Sequence, residues 1–155
     1  MTNLRRVITR ASQKGETMNK EEIMQFISEN PVCFLATVEG DMPRVRGIGT
    51  YKADKRGILI QISTPKDVYK QLVKNPKVEL CYNNLAKGRQ LRVNGTAEFL
   101  EDQGLKEEVV NARPFLKPLV DAEGYGVIKV FRVANASVYV WTREKNFAPK
   151  EYIKL

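Results

Sequence analysis

Two short segments of the chain carry the side chains best suited to binding chemistry. In the first, Pro43-Arg-Val-Arg-Gly-Ile-Gly49, strand alternation places Arg44 and Arg46 on one face and Val45 and Gly47 on the other. Guanidinium groups beside glycines offer charge-assisted hydrogen bonds where a flat ligand can approach the backbone closely. Taken alone, however, the segment is better explained as an exposed strand whose charges discourage edge pairing.

The second segment, Ser63-Thr-Pro-Lys-Asp67, links an apolar strand to a helix. Thr64 suits the N-cap position, followed by a proline at the first helical position and an acid at the third. A helix N-terminus presents free N–H groups and the positive end of a dipole, to which Ser63, Thr64 and Lys66 add hydroxyls and charge. The segment suits a phosphate site and plain helix capping by Thr64 equally well.

Two further segments are less specific. Gln90, Arg92 and Asn94 share one face of a strand, which fits a ligand wall but is explained more simply by a solvated barrel face. Trp141 is the one tryptophan of the chain, and a lone tryptophan more often fills a core or an interface than stacks on a ligand ring.

The composition excludes several classes of chemistry. The chain has no histidine, which rules out His-based triads, His-ligated haem and His acid–base catalysis. Its two cysteines, Cys33 and Cys81, lie far apart in apolar stretches, so we expect buried free thiols and no metal site. The net charge of +8 raises the question of nucleic acid, but no Lys/Arg run with interleaved aromatics appears. A solvated basic surface is the better explanation, and it would also attract a small anionic ligand.

The element pattern predicts one domain over residues 19–155, preceded by a basic N-terminal extension, residues 1–18, whose order the sequence leaves open. A capping box at Asn19 and Glu22 begins a helix at 19–29. We predict strands at 32–38, 42–51, 58–63, 78–82, 90–100, 126–132 and 137–142, with a bend at Gly95 and a tail at 147–155. Short strands with helices at a few crossovers indicate a mainly β, α+β fold built on a barrel.

No apolar run approaches the ~20 residues that a membrane-spanning helix needs, and no signal peptide is recognisable. We therefore expect a cytoplasmic protein without a membrane contact.

The segments together resemble one family, the pyridoxamine 5′-phosphate oxidase-like FMN-binding split β-barrels. Phe34-Leu-Ala-Thr-Val-Glu-Gly-Asp-Met-Pro-Arg-Val-Arg46 is similar to the opening hairpin of that family. Ser63-Thr-Pro-Lys-Asp-Val-Tyr-Lys-Gln-Leu-Val-Lys-Asn-Pro-Lys-Val-Glu-Leu80 looks like its strand–helix–Asn-Pro–strand element, and Arg89-Gln-Leu-Arg-Val-Asn-Gly-Thr-Ala-Glu98 like its long central strand. The resemblance covers about residues 19–142 in the family's order.

This resemblance implies a homodimer with two FMN sites at the subunit interface. It places Arg44, Val45, Arg46 and Gly47 along the isoalloxazine and ribityl chain, Ser63, Thr64 and Lys66 at the phosphate with Lys70 and Gln71 nearby, and Gln90 and Trp141 where the second subunit reaches the flavin. Two departures, the missing histidine and Pro65 where the oxidase has an arginine, point to a small, poorly assigned member and away from vitamin B6 oxidation.

The resulting interpretation is an FMN-dependent oxidoreductase acting on a small molecule, with NADH or NADPH as a candidate electron donor. Arginines near the ring would stabilise negative charge on reduced flavin, and no catalytic residue is assigned. Three alternatives stay open: a flavin carrier without turnover, a reductase that binds the deazaflavin F420, and, least favoured, a module that binds nucleic acid or another polyanion.

Overall fold

The computed structural model describes residues 17–155, and within this range the chain forms four α-helices and seven strands. The helices are α1 (Lys20–Glu29), α2 (Asp67–Lys74), α3 (Gln103–Ala112) and α4 (Lys117–Glu123). The strands are β1 (Val32–Glu39), β2 (Met42–Asp54), β3 (Gly57–Ser63), β4 (Lys77–Asn84), β5 (Arg89–Phe99), β6 (Ile128–Thr142) and β7 (Tyr152–Lys154). Most of the predicted N-terminal extension, residues 1–16, lies outside the described residues.

The strands form one antiparallel sheet in the order β3-β2-β1-β4-β5-β6-β7, and β3 also pairs with β6. This last pairing closes six strands into a barrel. The expected α+β split β-barrel is therefore confirmed. No helix among residues 17–155 is both long and apolar enough to cross a bilayer.

The apolar side chains form two separate cores because β3 is buried on both of its faces. Ile58, Ile60 and Ile62 point into the barrel, whereas Leu59 points outward and packs beneath α3 and α4. A strand covered on both sides needs a continuous apolar run instead of an alternating one, which explains its sequence Gly-Ile-Leu-Ile-Gln-Ile-Ser. The inner core includes α1 and α2, and the outer core ties α3 and α4 to β3 and β6.

The predicted capping box at the start of α1 is confirmed. The Asn19 side chain accepts a hydrogen bond from the Glu22 N–H at 2.9 Å, and the Glu22 carboxylate accepts one from the Asn19 N–H at 2.7 Å. These two bonds satisfy N–H groups that a helix terminus otherwise leaves free. The helix ends before Pro31, as the sequence indicates.

The prediction of two separate strands at 126–132 and 137–142 is wrong, because β6 runs unbroken for 15 residues. Its pairing with β5 shifts register next to Gly95, and Asn135 has a positive φ of 50°. The strand bends at this bulge and continues. Part of the predicted tail likewise forms β7, which pairs with the second half of β6.

Gly95 is required at this bulge by close packing. A Cβ there would lie 2.6 Å from the Ala134 carbonyl oxygen and 2.7 Å from Val133 Cγ1. We expect Gly95→Ala to lower the free energy of unfolding by about 1–3 kcal/mol, measured by urea denaturation. Gly126→Ala is the matched control, since nothing lies within 4 Å of its Cβ position. Equal stability of the two variants would contradict this role for Gly95.

Candidate functional site

A cleft of about 510 Å³ lies between the N-terminal half of α2 and the hairpin formed by β1 and β2. Charged and polar side chains dominate its lining, which consists of Glu39, Arg44, Val45, Arg46, Lys66, Asp67, Val68 and Gln71. We call this depression the phosphate cleft, after the group that the sequence analysis predicts beside Lys66. It unites Arg44, Val45, Arg46, Lys66 and Gln71, five of the residues that the sequence singles out.

Strand alternation in β2 decides which side chains enter the cleft. Arg46 pairs with Leu35 and Arg44 with Thr37, two positions on the buried face of β1 that α2 covers. Gly47 pairs with Phe34, whose side chain is exposed on the outer face of the barrel. The predicted division of the arginines from Val45 and Gly47 is therefore confirmed.

One edge of β2 has no partner strand from residues 17–155 along residues 42–49. Residues 42–49 pair with β1, whereas the pairing with β3 begins at Thr50. Backbone N–H and C=O groups on this free edge can bind a ligand in place of another strand. Val45 lies on the free edge and lines the phosphate cleft.

Arg46 is fixed by neutral hydrogen-bond acceptors. Its guanidinium donates to the Leu35 carbonyl at 3.2 Å, to Thr37 Oγ1 at 2.8 Å and to Gln71 Oε1 at 2.6 Å. Burial, reinforced by the neighbouring Arg44, lowers the pKa of Arg46 from its usual value. Within residues 17–155 no carboxylate pairs with this guanidinium, so its charge is available to an anion in the cleft.

Gln71 organises the polar groups around Arg46. This buried amide accepts hydrogen bonds from Arg46 and from Thr37 Oγ1, the latter at 2.6 Å, and donates to Glu39 Oε2 at 2.8 Å. The Gln71 hydrogen bond, together with Arg44 at 3.1 Å, lowers the pKa of Glu39. Since the amide oxygen faces Arg46 and the amide nitrogen faces Glu39, Gln71 separates the two charges and keeps Arg46 unpaired.

The helix beside the cleft starts later than the sequence predicts. Lys66, not Thr64, is the N-cap of α2, and its side chain makes no capping hydrogen bond. The Lys66 N–H instead bonds to the Ser63 carbonyl at 3.1 Å, so Pro65 lies in a turn before the helix. The N-terminus of α2 is therefore left without a side-chain cap beside a cleft that Lys66 lines.

Three other predicted residues border this region without lining the phosphate cleft. Ser63 is buried at the end of β3 opposite Ile128, and the Thr64 N–H donates to the Val127 carbonyl at 3.0 Å. Both residues shape the turn into α2. Lys70 lies one turn further along the helix, 3.9 Å from the Asp67 carboxylate.

The chain keeps Gln90 and Trp141 away from the phosphate cleft. They are direct cross-strand neighbours on β5 and β6, and β1 and β4 separate them from β2. Gln90 donates to Asn83 Oδ1 at 2.7 Å, and the Trp141 indole donates to Asn146 Oδ1 at 2.9 Å. Their role at a flavin stays a prediction that requires a second subunit.

Arg113 is a candidate that sequence reasoning missed. It follows α3, and its guanidinium donates to Gln61 Oε1 at 3.1 Å and lies 5.4 Å from the centre of the Tyr51 ring. Burial lowers its pKa. A Cβ at Gly49 would lie 3.8 Å from Arg113 Nη2, which places this cation beside the glycine-containing stretch of β2. No local pattern marks Arg113, because its position depends on how α3 packs across the barrel.

Glu108 fastens α3 to β2 beneath Arg113. Its carboxylate accepts hydrogen bonds from Lys52 at 2.7 Å and from Tyr51 at 2.9 Å, and pairs with Arg56 at 3.1 Å. Arg56, followed by Lys52 and Tyr51, lowers the pKa of Glu108 to about 2 from the usual 4.5. The hydrogen bond to the ionised Glu108 carboxylate therefore fixes the Tyr51 ring on which Arg113 lies.

A carboxyl group whose pKa is lower in the folded than in the unfolded protein stabilises the fold at pH values above its unfolded pKa. This stabilisation is lost as the pH falls through the folded pKa. We therefore expect Glu108→Gln to be less stable than the parent at pH 7. The difference in stability between the variant and the parent should shrink as the pH falls from about 4.5 to 2. The midpoints of urea denaturation across this pH range measure it. Glu107→Gln, an exposed neighbour on α3, is the control. Equal midpoints of Glu108→Gln and the parent at pH 7 would refute the prediction.

The family model described as pyridoxamine 5′-phosphate oxidase matches residues 19–141. The chain belongs to this family. Members of the family commonly bind flavin and include oxidoreductases, although some are not enzymes. No curated protein sequence matches the chain at a significant level.

Solved structures similar to the chain include a NimC/NimA family protein from Clostridium acetobutylicum. It is 28% identical, with a TM-score of 0.71 over 87% of this chain and 92% of that one. A protein related to general stress protein 26, also from Clostridium acetobutylicum, is 18% identical with a TM-score of 0.65, and the match covers 87% of this chain and 93% of that one. General stress protein 26 from Bacillus anthracis is 15% identical with a TM-score of 0.60, and the match covers 86% of this chain and 98% of that one.

Proposed function

We propose that this chain is an FMN-dependent oxidoreductase that holds the flavin phosphate in the phosphate cleft. One observation carries the proposal: the guanidinium of Arg46, without a carboxylate partner in the described chain, shares a cleft with Lys66 and the uncapped start of α2. Helix N-termini and cationic side chains together form strong sites for phosphate. The flavin binding common in the family supports the same assignment.

The glycines of β2 suit the flat ring of a flavin. Gly47 lies on the stretch of β2 with a free edge, and nothing lies within 4 Å of its Cβ position. A planar ring can therefore approach the backbone there without meeting a side chain. Arg113, beside Gly49, adds a positive charge at the same strand. The residues present thus fit both ends of FMN.

When bound, FMN supplies the electron-transfer chemistry that no side chain of this protein provides. Because Arg46 shares the cleft with Lys66, the proposal assigns it to the phosphate together with Lys66, and not to the ring and ribityl chain as the resemblance implies. Gln71 keeps Arg46 oriented. Arg113 supplies a fixed positive charge that can stabilise an anionic group without donating a proton. The absence of histidine from the chain is compatible with this role, since the protein then needs no titrating group near neutral pH.

Removing either cation should weaken FMN binding selectively. Arg46→Ala and Lys66→Ala should each lower the affinity for FMN by about 1–3 kcal/mol, because each removes a charge-assisted contact to phosphate. Riboflavin, which lacks the phosphate, should bind each variant as it binds the parent. Isothermal titration with both ligands measures the effect, with exposed Lys55→Ala as the matched control. A colourless protein that binds no added FMN would reject the proposal.

Turnover is tested by mixing FMN-loaded protein with NADH or NADPH in a stopped-flow spectrometer. Loss of the oxidised flavin absorbance supports an oxidoreductase, and no reduction by either donor supports a carrier. Mass analysis of the copurified ligand distinguishes FMN from F420.

The outer face of the barrel supports the second part of the proposal, a homodimer. Val32, Phe34 and Val45 are 69%, 52% and 69% exposed on neighbouring strands, and Phe34 lies between Gly47 and Cys81. A contiguous apolar patch of this kind typically marks a protein interface. A second copy on this face would also bring Gln90 and Trp141, which the single chain holds apart from β2, towards the flavin of its partner.

A charge in the centre of the patch should separate the subunits. We expect Phe34→Asp to sediment as a monomer at micromolar concentration while the parent sediments as a dimer, because the interface would bury an unpaired carboxylate. Phe115→Asp, at a phenylalanine that is 73% exposed away from the patch, is the matched control. Circular dichroism confirms folding. A monomeric parent, or a dimeric Phe34→Asp, would contradict the interface.

A further inference from the structure

We infer that the chain has a second ligand site, at the opposite end of β2 from the phosphate cleft, which binds a small anion with an apolar body and a single charged head group. The site is a cavity of about 550 Å³ between α1, residues 54–58 and residues 132–136. We call it the distal cavity. Residues 54–58 form the turn from β2 into β3, and residues 132–136 contain the bulge of β6.

The distal cavity is separate from the phosphate cleft, because the two have no lining residue in common. Val45 lines the cleft, and Lys55 lines the cavity ten residues further along the chain. At about 3.3 Å per residue of extended strand, the two sites lie about 30 Å apart along β2. Binding in the distal cavity therefore does not depend on whether the chain binds FMN.

The floor of the distal cavity is apolar, since it opens onto the inner core at one end of the barrel. Ile58, Val133 and Ala136 belong to that core. Met24 and Leu155 are partly buried, pack against the core and complete the floor. The mouths of β-barrels are common places for ligand sites, and such sites have volumes of roughly 300–1,000 Å³. An apolar ligand body that covers this floor removes apolar surface from water.

Short side chains beside the bulge of β6 keep the floor accessible. Ala134 and Ala136 line the cavity on either side of Asn135, and Gly57 lines it from the neighbouring turn. Asn135 is exposed and has a positive φ of 50°, which marks the bulge. Bulges are common beside binding sites, where they redirect a side chain. The Asn135 amide can donate a hydrogen bond to a head group at the rim of the cavity.

The two carboxylates that line the distal cavity are already paired. Asp54 lies 2.7 Å from Arg56, and the hydrogen bonds from this guanidinium lower the pKa of Asp54. Glu98 lies 2.7 Å from Arg132, which lowers the pKa of Glu98 in the same way. Neither carboxylate therefore repels an anion as an isolated charge would.

Two lysines supply the positive charge that these pairs leave over. Lys20 and Lys55 both line the cavity and are exposed, and within residues 17–155 neither has a carboxylate within ion-pair distance. A head group beside them gains charge-assisted contacts while the ligand body covers the floor. A polyanion would place its further charges over apolar surface, which is unfavourable. The lining therefore fits one anionic group on an apolar body.

The test is isothermal titration of the full chain with octanoate, 1-octanol and octylammonium, which share one apolar body and differ in the charge of the head group. We expect octanoate to bind most tightly and octylammonium most weakly. 2-Naphthoate offers the same head group on an aromatic body. Whichever of the two anions binds more tightly identifies the ligand body as aliphatic or aromatic.

Variants locate the binding. Lys20→Ala/Lys55→Ala should bind octanoate about tenfold more weakly and 1-octanol as the parent does, because each exposed lysine contributes a few-fold. Lys77→Ala/Lys87→Ala removes two exposed lysines outside the cavity and should keep the affinity of the parent. Ala134→Leu, which enlarges a partly exposed lining residue, should weaken binding of both octanoate and 1-octanol. Circular dichroism confirms that each variant folds.

The inference is overturned if neither anion binds, if 1-octanol binds as tightly as octanoate, or if Lys20→Ala/Lys55→Ala keeps the octanoate affinity of the parent. An equal loss in both lysine double variants would show a general effect of net charge and would also reject the site. The affinity for FMN should be the same in Lys20→Ala/Lys55→Ala and in the parent, so this result is independent of the proposed function.

Discussion

A partly buried guanidinium surrounded by neutral acceptors keeps a positive charge that a neighbouring carboxylate would otherwise cancel. Arg46 is in this position, because the Gln71 amide stands between it and Glu39. The arrangement depends on β1, β2 and α2 together, since Thr37 and Leu35 supply the other acceptors. Isolating a charge in this way is unfavourable without a ligand, and an anion that binds in the cleft recovers the lost interaction.

The barrel determines how this charge can serve the flavin that we propose as its ligand. Alternation in β2 places the arginines towards α2 and the glycine face outward, while the free edge of residues 42–49 lies between them. A ligand that follows the free edge meets side-chain charge at one end and open backbone at the other. Gln90 and Trp141 lie on β5 and β6, apart from the strand segment that lines the phosphate cleft.

Features with a local period were predictable from the sequence, and features that depend on packing were not. The faces of β2 and the capping box of α1 follow from spacing alone, and the family resemblance gave the barrel. The Thr-Pro sequence resembles a helix start, but the Lys66 N–H turns back to Ser63 and delays α2. Arg113 and Glu108 meet β2 through the packing of α3, a tertiary contact with no signature in sequence spacing.

The edge of β2 that no strand of the described part of the chain covers has a consequence for solubility as well as for binding. Exposed ladder groups invite strand addition from another molecule, the first step of aggregation. Pro43 lies within residues 42–49 and lacks an N–H, and Arg44 places a charge next to it. The first residues of this edge thus resist indiscriminate strand pairing, whereas Gly47 itself adds neither a charge nor a missing N–H. If FMN binds as proposed, the protein without FMN should therefore be more prone to precipitate than the protein whose edge the flavin covers.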